Sequence, residues 1–380
     1  MKAAFNPKRR LLLGAAAASL ASPVLADAPL TAGKEGSHMT TSSNYLPVRP
    51  EWLAAGAETA LEPDLPIIDA HHHFYERPGW LYLLDDYLAD VRASGHNFEA
   101  SVYMQALTRY HTKGSVFTRP VGETEYVAAV TAHPTPGQPQ VAKGIIGHVD
   151  LRRGAEVREV LEAHLAAGDG RFRGVRHLTT WDADSTLVNP LSAAPQGLLL
   201  APAYRAGVAQ LAPLGLSYDA WLFFPQLPQL LDLAKANPDT KIIVNHCGGV
   251  VRIASYADKR PEVFERWSRS MRELARLPNV YVKVGGLGMR INGFDFEKAP
   301  QASSSLQLAD TWKPWMMTCI EAFGAQRCMF ESNFPVDKGS YPLGNGWNAF
   351  KRLTAQASAS ERDALFRGTA SKVYRLDPQR

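Results

Sequence analysis

From residue 66 onward the chain alternates short apolar, β-branched runs with longer stretches in which apolar residues recur at helical spacing. Eight runs carry the strand pattern, at 66–74, 100–106, 142–151, 172–178, 216–224, 241–248, 279–287 and 327–334. Amphipathic segments lie between and after them, at 122–134, 156–167, 203–213, 226–236, 261–277, 311–323, 347–357 and 360–373. In 156–167, for example, Val157, Val160, Leu161, His164 and Leu165 fall on one stripe, the mark of a helix buried by one face. Breakers such as Asn237-Pro238 and Leu277-Pro278 stand at element boundaries. Strand–helix units in this number predict parallel strands joined by crossovers, and the (β/α)8 TIM barrel, as a single domain over 65–380, is the closed form of that pattern. An open doubly wound sheet is the alternative, but no Gly-x-Gly-x-x-Gly follows the first run, where a dinucleotide fold would carry its phosphate loop.

A barrel gathers its chemistry at the C-terminal ends of its strands. The ends of these runs hold His71 and His73, Gln105, His148 and Asp150, Arg176 and His177, Asn245 and His246, Lys283, Glu331 and Asn333. Core strands are otherwise rich in Val, Ile and Leu, so polar groups recurring at one end of many strands call for a reason other than packing. The first run, Pro-Ile-Ile-Asp-Ala-His-His-His-Phe, is the sharpest case. Strand alternation sends His71 and His73 to one face and His72 to the other, so two imidazoles can reach one ion at about 2.0–2.1 Å. Neutral imidazoles suit zinc. Arg176 offers a bidentate fork to a carboxylate or a developing oxyanion. Lys283 is a charged lining residue or a packing lysine, and His148 with Asp150 either lines the mouth or shapes a loop.

The N-terminus changes the setting. Residues 1–26 have a basic start (Lys2, Lys8, Arg9, Arg10), an apolar Leu/Ala run and a small-residue exit, the pattern of an export signal. The arginine pair before the apolar run suggests the twin-arginine route and a periplasmic destination. Residues 27–64, rich in Ala, Gly, Pro, Ser and Thr, read as a linker with a short lead-in around Trp52. The whole chain has 41 basic against 37 acidic residues, and the signal carries four of the basic ones, so the remainder is neutral. Neutrality argues against nucleic acid or a polybasic membrane surface as a partner. No second long apolar segment predicts stable membrane insertion after signal cleavage. Cys247, Cys319 and Cys328 are odd in number and lie in apolar elements, so buried free thiols are expected rather than a disulfide framework.

Asp-Ala-His-His-His-Phe, Gly-Val-Arg-His, Val-Asn-His-Cys-Gly-Gly, Asn-Val-Tyr-Val-Lys-Val-Gly-Gly-Leu and Cys-Met-Phe-Glu-Ser-Asn-Phe-Pro-Val-Asp-Lys follow one another along the chain. Together they resemble the amidohydrolase superfamily, in the branch that includes sugar-lactone hydrolases and 2-pyrone-4,6-dicarboxylate lactonase. The resemblance runs from about Pro66 to Leu376. It implies that His71, His73 and His246 hold one divalent metal, zinc by ligand type, or stand in the same places without one. It also implies Arg176 as the partner of a substrate anion. Three departures stand out. Asn333 occupies the place where many relatives have a metal-binding or basic Asp, Phe224 stands where a fifth-strand His is common, and no bridging lysine is evident on the fourth strand. The base must then come from another carboxylate. Asp337, in the following loop, is the expected one, with Glu331 the alternative. The expected catalytic set is Asp337, His246 and Arg176, with Arg176, His177, Asn333 and Gln105 binding substrate. The implied activity is hydrolysis of a lactone or related C–O or C–N bond in a small, polar, anionic substrate. Metal-dependent nonoxidative decarboxylation and a non-catalytic exported binding protein are the alternatives. Substrate identity, metal content and any homo-oligomer stay open.

Overall fold

The computed structural model describes residues 45–77 and 79–376, so the predicted signal at 1–26 and the first part of the predicted linker lie outside the described residues. All eight predicted strands are present: β1 (Ile67–His72), β2 (Phe98–Met104), β3 (Gln140–Gly147), β4 (Phe172–Val175), β5 (Ser217–Ala220), β6 (Ile242–Val244), β7 (Val280–Gly285) and β8 (Cys328–Glu331). They form one parallel sheet in chain order. Its two ends meet where Asn333 N–H donates to the His71 carbonyl (2.9 Å) and His73 N–H to that of Phe334 (2.8 Å). The result is an eight-stranded barrel with helices around it, as the alternation predicts.

Two apolar layers fix the frame. Inside the barrel, Ile68, Val102, Ile146, Ile243 and Met329 pack with Tyr374 from the C-terminal helix, closing the floor. Outside, the helices bury Leu161, Trp267, Leu308, Trp312 and Phe350 against the sheet. Helix Leu84–Ser94, which follows β1, and the hairpin of Tyr75–Arg77 with Trp80–Tyr82 were not evident from periodicity, because neither carries a long apolar stripe.

The lead-in is part of the barrel's packing. Pro50–Ala55 is a short helix whose Trp52 Nε1–H donates to the Ala299 carbonyl (3.0 Å). Buried Lys351 donates to the carbonyls of Leu61 and Glu62, both at 2.7 Å. These bonds satisfy backbone that an untethered linker would leave to water, so the segment read as a linker is bound to the barrel over residues 45–64. Among the described residues, no helix is long and apolar enough to cross a membrane.

Candidate active site

The histidine triplet is positioned by an irregularity in β1. Asp69 and His72 both face helix Leu84–Ser94: Tyr87 Oη–H donates to Asp69 (3.0 Å) and the Tyr87 ring stacks on His72 at 4.1 Å. Residues three apart share the outer face only because the strand's register shifts between them. Beyond the shift, alternation resumes and carries His71, His73, Tyr75 and Arg77 toward the interior. His73, Tyr75 and Arg77 line a cavity at the strands' C-terminal ends, while His71 is fully buried behind them.

Each nitrogen of His71 is shared between two neighbours. Nδ1 lies 2.8 Å from Glu331 Oε2 and 3.4 Å from Lys283 Nζ. Nε2 lies 3.1 Å from His73 Nε2 and 3.2 Å from Arg176 Nη1. His73 is fixed on its other side, with Nδ1 2.8 Å from the Met104 carbonyl, and Arg176 Nη2 donates to the Gln105 carbonyl at 2.6 Å. Lys283, fully buried, pairs with Asp219 at 2.9 Å, and Asp219 also accepts from Tyr374 Oη–H and Asn245 Nδ2–H. Burial, reinforced by Lys283 and the other histidines, holds His71 well below the usual imidazole range. Burial also lowers Lys283, with Asp219 opposing it. Two cations and two carboxylates thus balance in a dry layer, where an unpaired member would be costly.

Glu331 is the carboxylate of the site. Its Oε1 accepts from His246 Nδ1–H at 2.7 Å and from the His246 backbone N–H at 3.0 Å. With Nδ1 committed, the opposite ring nitrogen, Nε2, is the one left for the cavity that His246 lines. Burial lowers His246, and Glu331 opposes that shift. The backbone at His246 is left-handed (φ 52°), a conformation that β-carbons resist and that functional sites retain. The Val-Gly-Gly-Leu run makes room for this pair. A Cβ on Gly285 would strike Glu331, and one on Gly286 would strike the His246 ring.

Asp337 is elsewhere. Its carboxylate accepts from Gly288 N–H (2.8 Å), Tyr341 Oη–H (2.7 Å) and Asn333 Nδ2–H (2.8 Å), and it does not line the cavity. Burial pushes it up to about 7 against the pull of those three donors. The expected base therefore stands behind Asn333, a cavity residue, and orients its amide. Glu331 faces the histidines instead. His177 is likewise turned away: its Nδ1 accepts from Leu151 N–H (3.2 Å) and its ring packs at 5.3 Å from that of Tyr204, outside the cavity. His148 and Asp150 belong to that same outer group, with His148 Nδ1 3.3 Å from the Arg176 carbonyl. Phe224 is buried in the core beside Tyr256.

Arg176, Gln105, His73, His246 and Asn333 do share the cavity. Gln105 is wholly buried, and neither its side-chain oxygen nor its nitrogen has a partner. Tyr75, Arg77 and Trp221 belong there too and were missed. The signal for the first two was present, since the two-residue alternation that aligns His71 with His73 runs on to Tyr75 and Arg77. Trp221 gave none.

A buried group of His71, His246 and Glu331 offers donor atoms within 4.8 Å of one another, two imidazoles and a carboxylate, a set that catalytic zinc sites use. Glu331 Oε2, completely buried, meets no donor besides His71 Nδ1 at 2.8 Å among the described residues, as an oxygen that shares an ion with that ring would. The residues therefore fit one divalent ion. The trio differs from the expected His71, His73 and His246. His73 meets His71 at Nε2, on the side of the ring away from the Nδ1 that meets Glu331, and so stands outside this trio. Lys283 is committed to Asp219 and supplies no bridge for a second ion.

The fold and this buried His/His/Glu group at the strand ends define an amidohydrolase-type hydrolase. The sequence profile of the amidohydrolase family matches residues 68–376, and the chain belongs to that family. It is 33% identical over 337 residues to the uncharacterized protein y4mH of Sinorhizobium fredii, covering 88% of this chain and 94% of that one. It is 27% identical over 234 residues to an L-fucono-1,5-lactonase of Burkholderia multivorans, covering 61% of this chain and 71% of the relative. The crystal structure of a Burkholderia multivorans amidohydrolase with bound zinc superimposes with a TM-score of 0.63 at 23% identity, over 82% of this chain and 99% of that chain.

Proposed function

We propose that the protein hydrolyses a lactone, or a related C–O or C–N bond, in a small substrate carrying an anionic group. One observation carries this reading: the Glu331 carboxylate, 2.7 Å from His246 Nδ1, leaves the other nitrogen of that ring to act in the cavity. This is the base-and-orienter arrangement of acyl-transfer sites.

His71, His246 and Glu331 would hold one divalent ion, zinc by ligand type, which when bound supplies Lewis-acid polarisation and a more acidic water. An ion there would occupy the His246 ring and Glu331, so the steps of the chain's own groups are those of the site without the ion. His246 takes a proton from water as it attacks the lactone carbonyl, and Glu331 stabilises the imidazolium that forms. Arg176 and the Asn333 amide, held by Asp337, donate to the oxygen on which charge develops. When the tetrahedral species collapses, the ring C–O bond breaks and the leaving oxygen recovers the proton from His246, giving a hydroxy acid. The Arg9-Arg10 signal supports a periplasm as the setting.

The test is a panel of lactones scored by proton release, with carbon dioxide release scored in parallel on carboxylated aromatics. Turnover in the first assay that is lost in His246→Asn is the expected result. Carbon dioxide release in its place would move the chemistry to decarboxylation, and binding without turnover would leave a binding protein.

A further inference from the structure

Part of the cavity wall is not made by the barrel. Tyr45 lines the cavity with His73, Arg176 and His246, although the family profile begins only at residue 68. The segment that carries Tyr45 is fastened across the strand ends. A Cβ on Gly339 would strike Leu46, so the chain lies directly on the turn Val336–Gly339 that follows β8. Arg49 donates to the Glu297 carbonyl (2.6 Å) and Trp52 to that of Ala299 (3.0 Å), both in the stretch after β7. The half-buried Tyr45 ring stands edge-on to Trp80 at 4.4 Å and to Tyr75 at 6.3 Å. It packs on a small cluster of Tyr75, Ala106 and Val336, separate from the main core, and all three of those residues line the cavity. The Tyr45 hydroxyl shares a hydrogen bond with that of Tyr75, and both phenols lie within electrostatic reach of Arg176.

We propose that Tyr45 is a substrate-binding residue, so that the N-terminal strap at 45–52 is part of the active site; the inference rests on the lactonase reading above. The strand ends supply the groups at the reacting bond, His246, Arg176 and Asn333. Tyr45 meets the rest of the substrate, its ring against ring carbons and its hydroxyl on an oxygen substituent, since a phenol both donates and accepts. Anchoring the strap does not account for this residue. Leu46, Arg49 and Trp52 already seat it, and a phenol bonded to Tyr75 near Arg176 adds a polar group to the cavity itself. The contacts with Trp80 and Tyr75 hold the ring before substrate arrives. A side chain fixed in this way loses little freedom on binding, which is the condition for one hydroxyl to count in KM.

The experiment compares wild-type protein, Tyr45→Phe and Tyr45→Leu on glucarolactone, isocitrate lactone and gluconolactone by proton release, with urea midpoints checking that each variant folds. Tyr45→Phe keeps the ring against Trp80 and removes one hydroxyl, so KM should rise about 3- to 10-fold with kcat within about twofold. Tyr45→Leu removes the ring as well, and KM should rise about 10-fold or more. A purely structural tyrosine would instead lower the urea midpoint and leave KM where it is. Unchanged KM in both variants overturns the inference while keeping the lactonase reading, as does a loss confined to kcat. If no lactone is hydrolysed, glucarate and isocitrate are titrated against the intrinsic tryptophan fluorescence, to which Trp80 beside Tyr45 and Trp221 in the cavity contribute. Binding weakened by Tyr45→Phe upholds the role of Tyr45 while removing the lactonase reading. Binding equal in wild type and both variants overturns the inference. If the wild type turns over no lactone and binds neither acid, both readings fall.

Discussion

Replacing Glu331 by Gln keeps the shape of the side chain and removes the charge that faces His246. The variant retains an oxygen for the His246 N–H groups, which lie 2.7 and 3.0 Å away in the wild type. What it loses is the charge-assisted part of that pairing when His246 becomes an imidazolium. Hydrogen bonds to charged groups contribute about 1.5–3 kcal/mol, and each 1.36 kcal/mol is about tenfold in rate, so kcat should fall roughly 10- to 150-fold. Removing the base itself, as His246→Asn, should cost about 10²–10⁴. Because both residues act on one proton, the double variant should be little slower than His246→Asn alone. Asp337→Asn perturbs only the support of Asn333 and should cost at most about tenfold, the range of one neutral hydrogen bond. Turnover is followed by proton release, with denaturation curves checking that each variant folds. The assay is run with and without added zinc, since a lost metal ligand makes the defect vary with zinc and a lost proton acceptor does not. If Glu331→Gln is silent while Asp337→Asn abolishes turnover, the base lies in the loop and the dyad reasoning is refuted.

Other outcomes follow from the buried charges and the N-terminus. Lys283→Met leaves Asp219 uncompensated in the barrel and should lower stability by about 3–5 kcal/mol. Pairing it with Asp219→Asn should recover much of that loss in chemical denaturation, and no recovery would mean that the pair is not the cause. Glu123 is buried, with Oε1 accepting from Tyr103 and from the N–H groups of Ala106 and Thr108, and burial raises it from 4.5 to about 7. A raised acid contributes stability that is complete below 4.5 and lost as pH climbs to about 7. Relative to the wild type, Glu123→Gln should therefore gain up to about 3 kcal/mol across that window and nothing below it, read from urea midpoints at each pH. A constant difference would place the effect outside proton linkage. Changing Arg9 and Arg10 together to Lys should leave precursor in the cytoplasm of an expressing bacterium, and unchanged export would reject the twin-arginine route.

The barrel was legible because its evidence repeats. Each strand is a local apolar run, each helix a local stripe, and eight repetitions of one unit leave few other closed arrangements. Site placement was legible in part: strand alternation puts His71 with His73, whose Nε2 atoms lie 3.1 Å apart, whereas of the other expected pair Glu331 turns to His246 and Asn333 to Asp337. What alternation cannot give is the loop geometry beyond the strand ends. Asp337 was chosen as the base because a loop carboxylate can reach a barrel mouth. Its direction is set by Gly288 and Tyr341, residues on other segments that no local pattern connects to it. His177 follows Arg176 by one residue and so falls on the opposite face, a consequence of the same alternation that a reading by proximity overlooks. Phe223 and Trp221 entered the cavity from the end of a run whose polar residues, Ser217 and Asp219, stand at its start, so nothing marked them as more than core.

The exchange of an expected Asp for Asn333 follows from this geometry without any loss of chemistry. The Asn333 amide stands 2.8 Å from Asp337, and a carboxylate there would set two acceptors against each other at buried positions. Like charges so close cannot both ionise without a large cost, so one would have to carry a proton. An amide removes the conflict, because its nitrogen donates one N–H to Asp337 and keeps a second for the cavity that Asn333 lines. The left-handed backbone at Asn333 (φ 56°) is also one that asparagine adopts more readily than most residues. The negative charge the chemistry needs is instead supplied two residues earlier, by Glu331 at the end of β8, in contact with His246. Strand β8 thus separates two duties that a single Asp would have to combine. Glu331 orients the base, and Asn333 presents a neutral donor to substrate, each held by a partner that the other does not share.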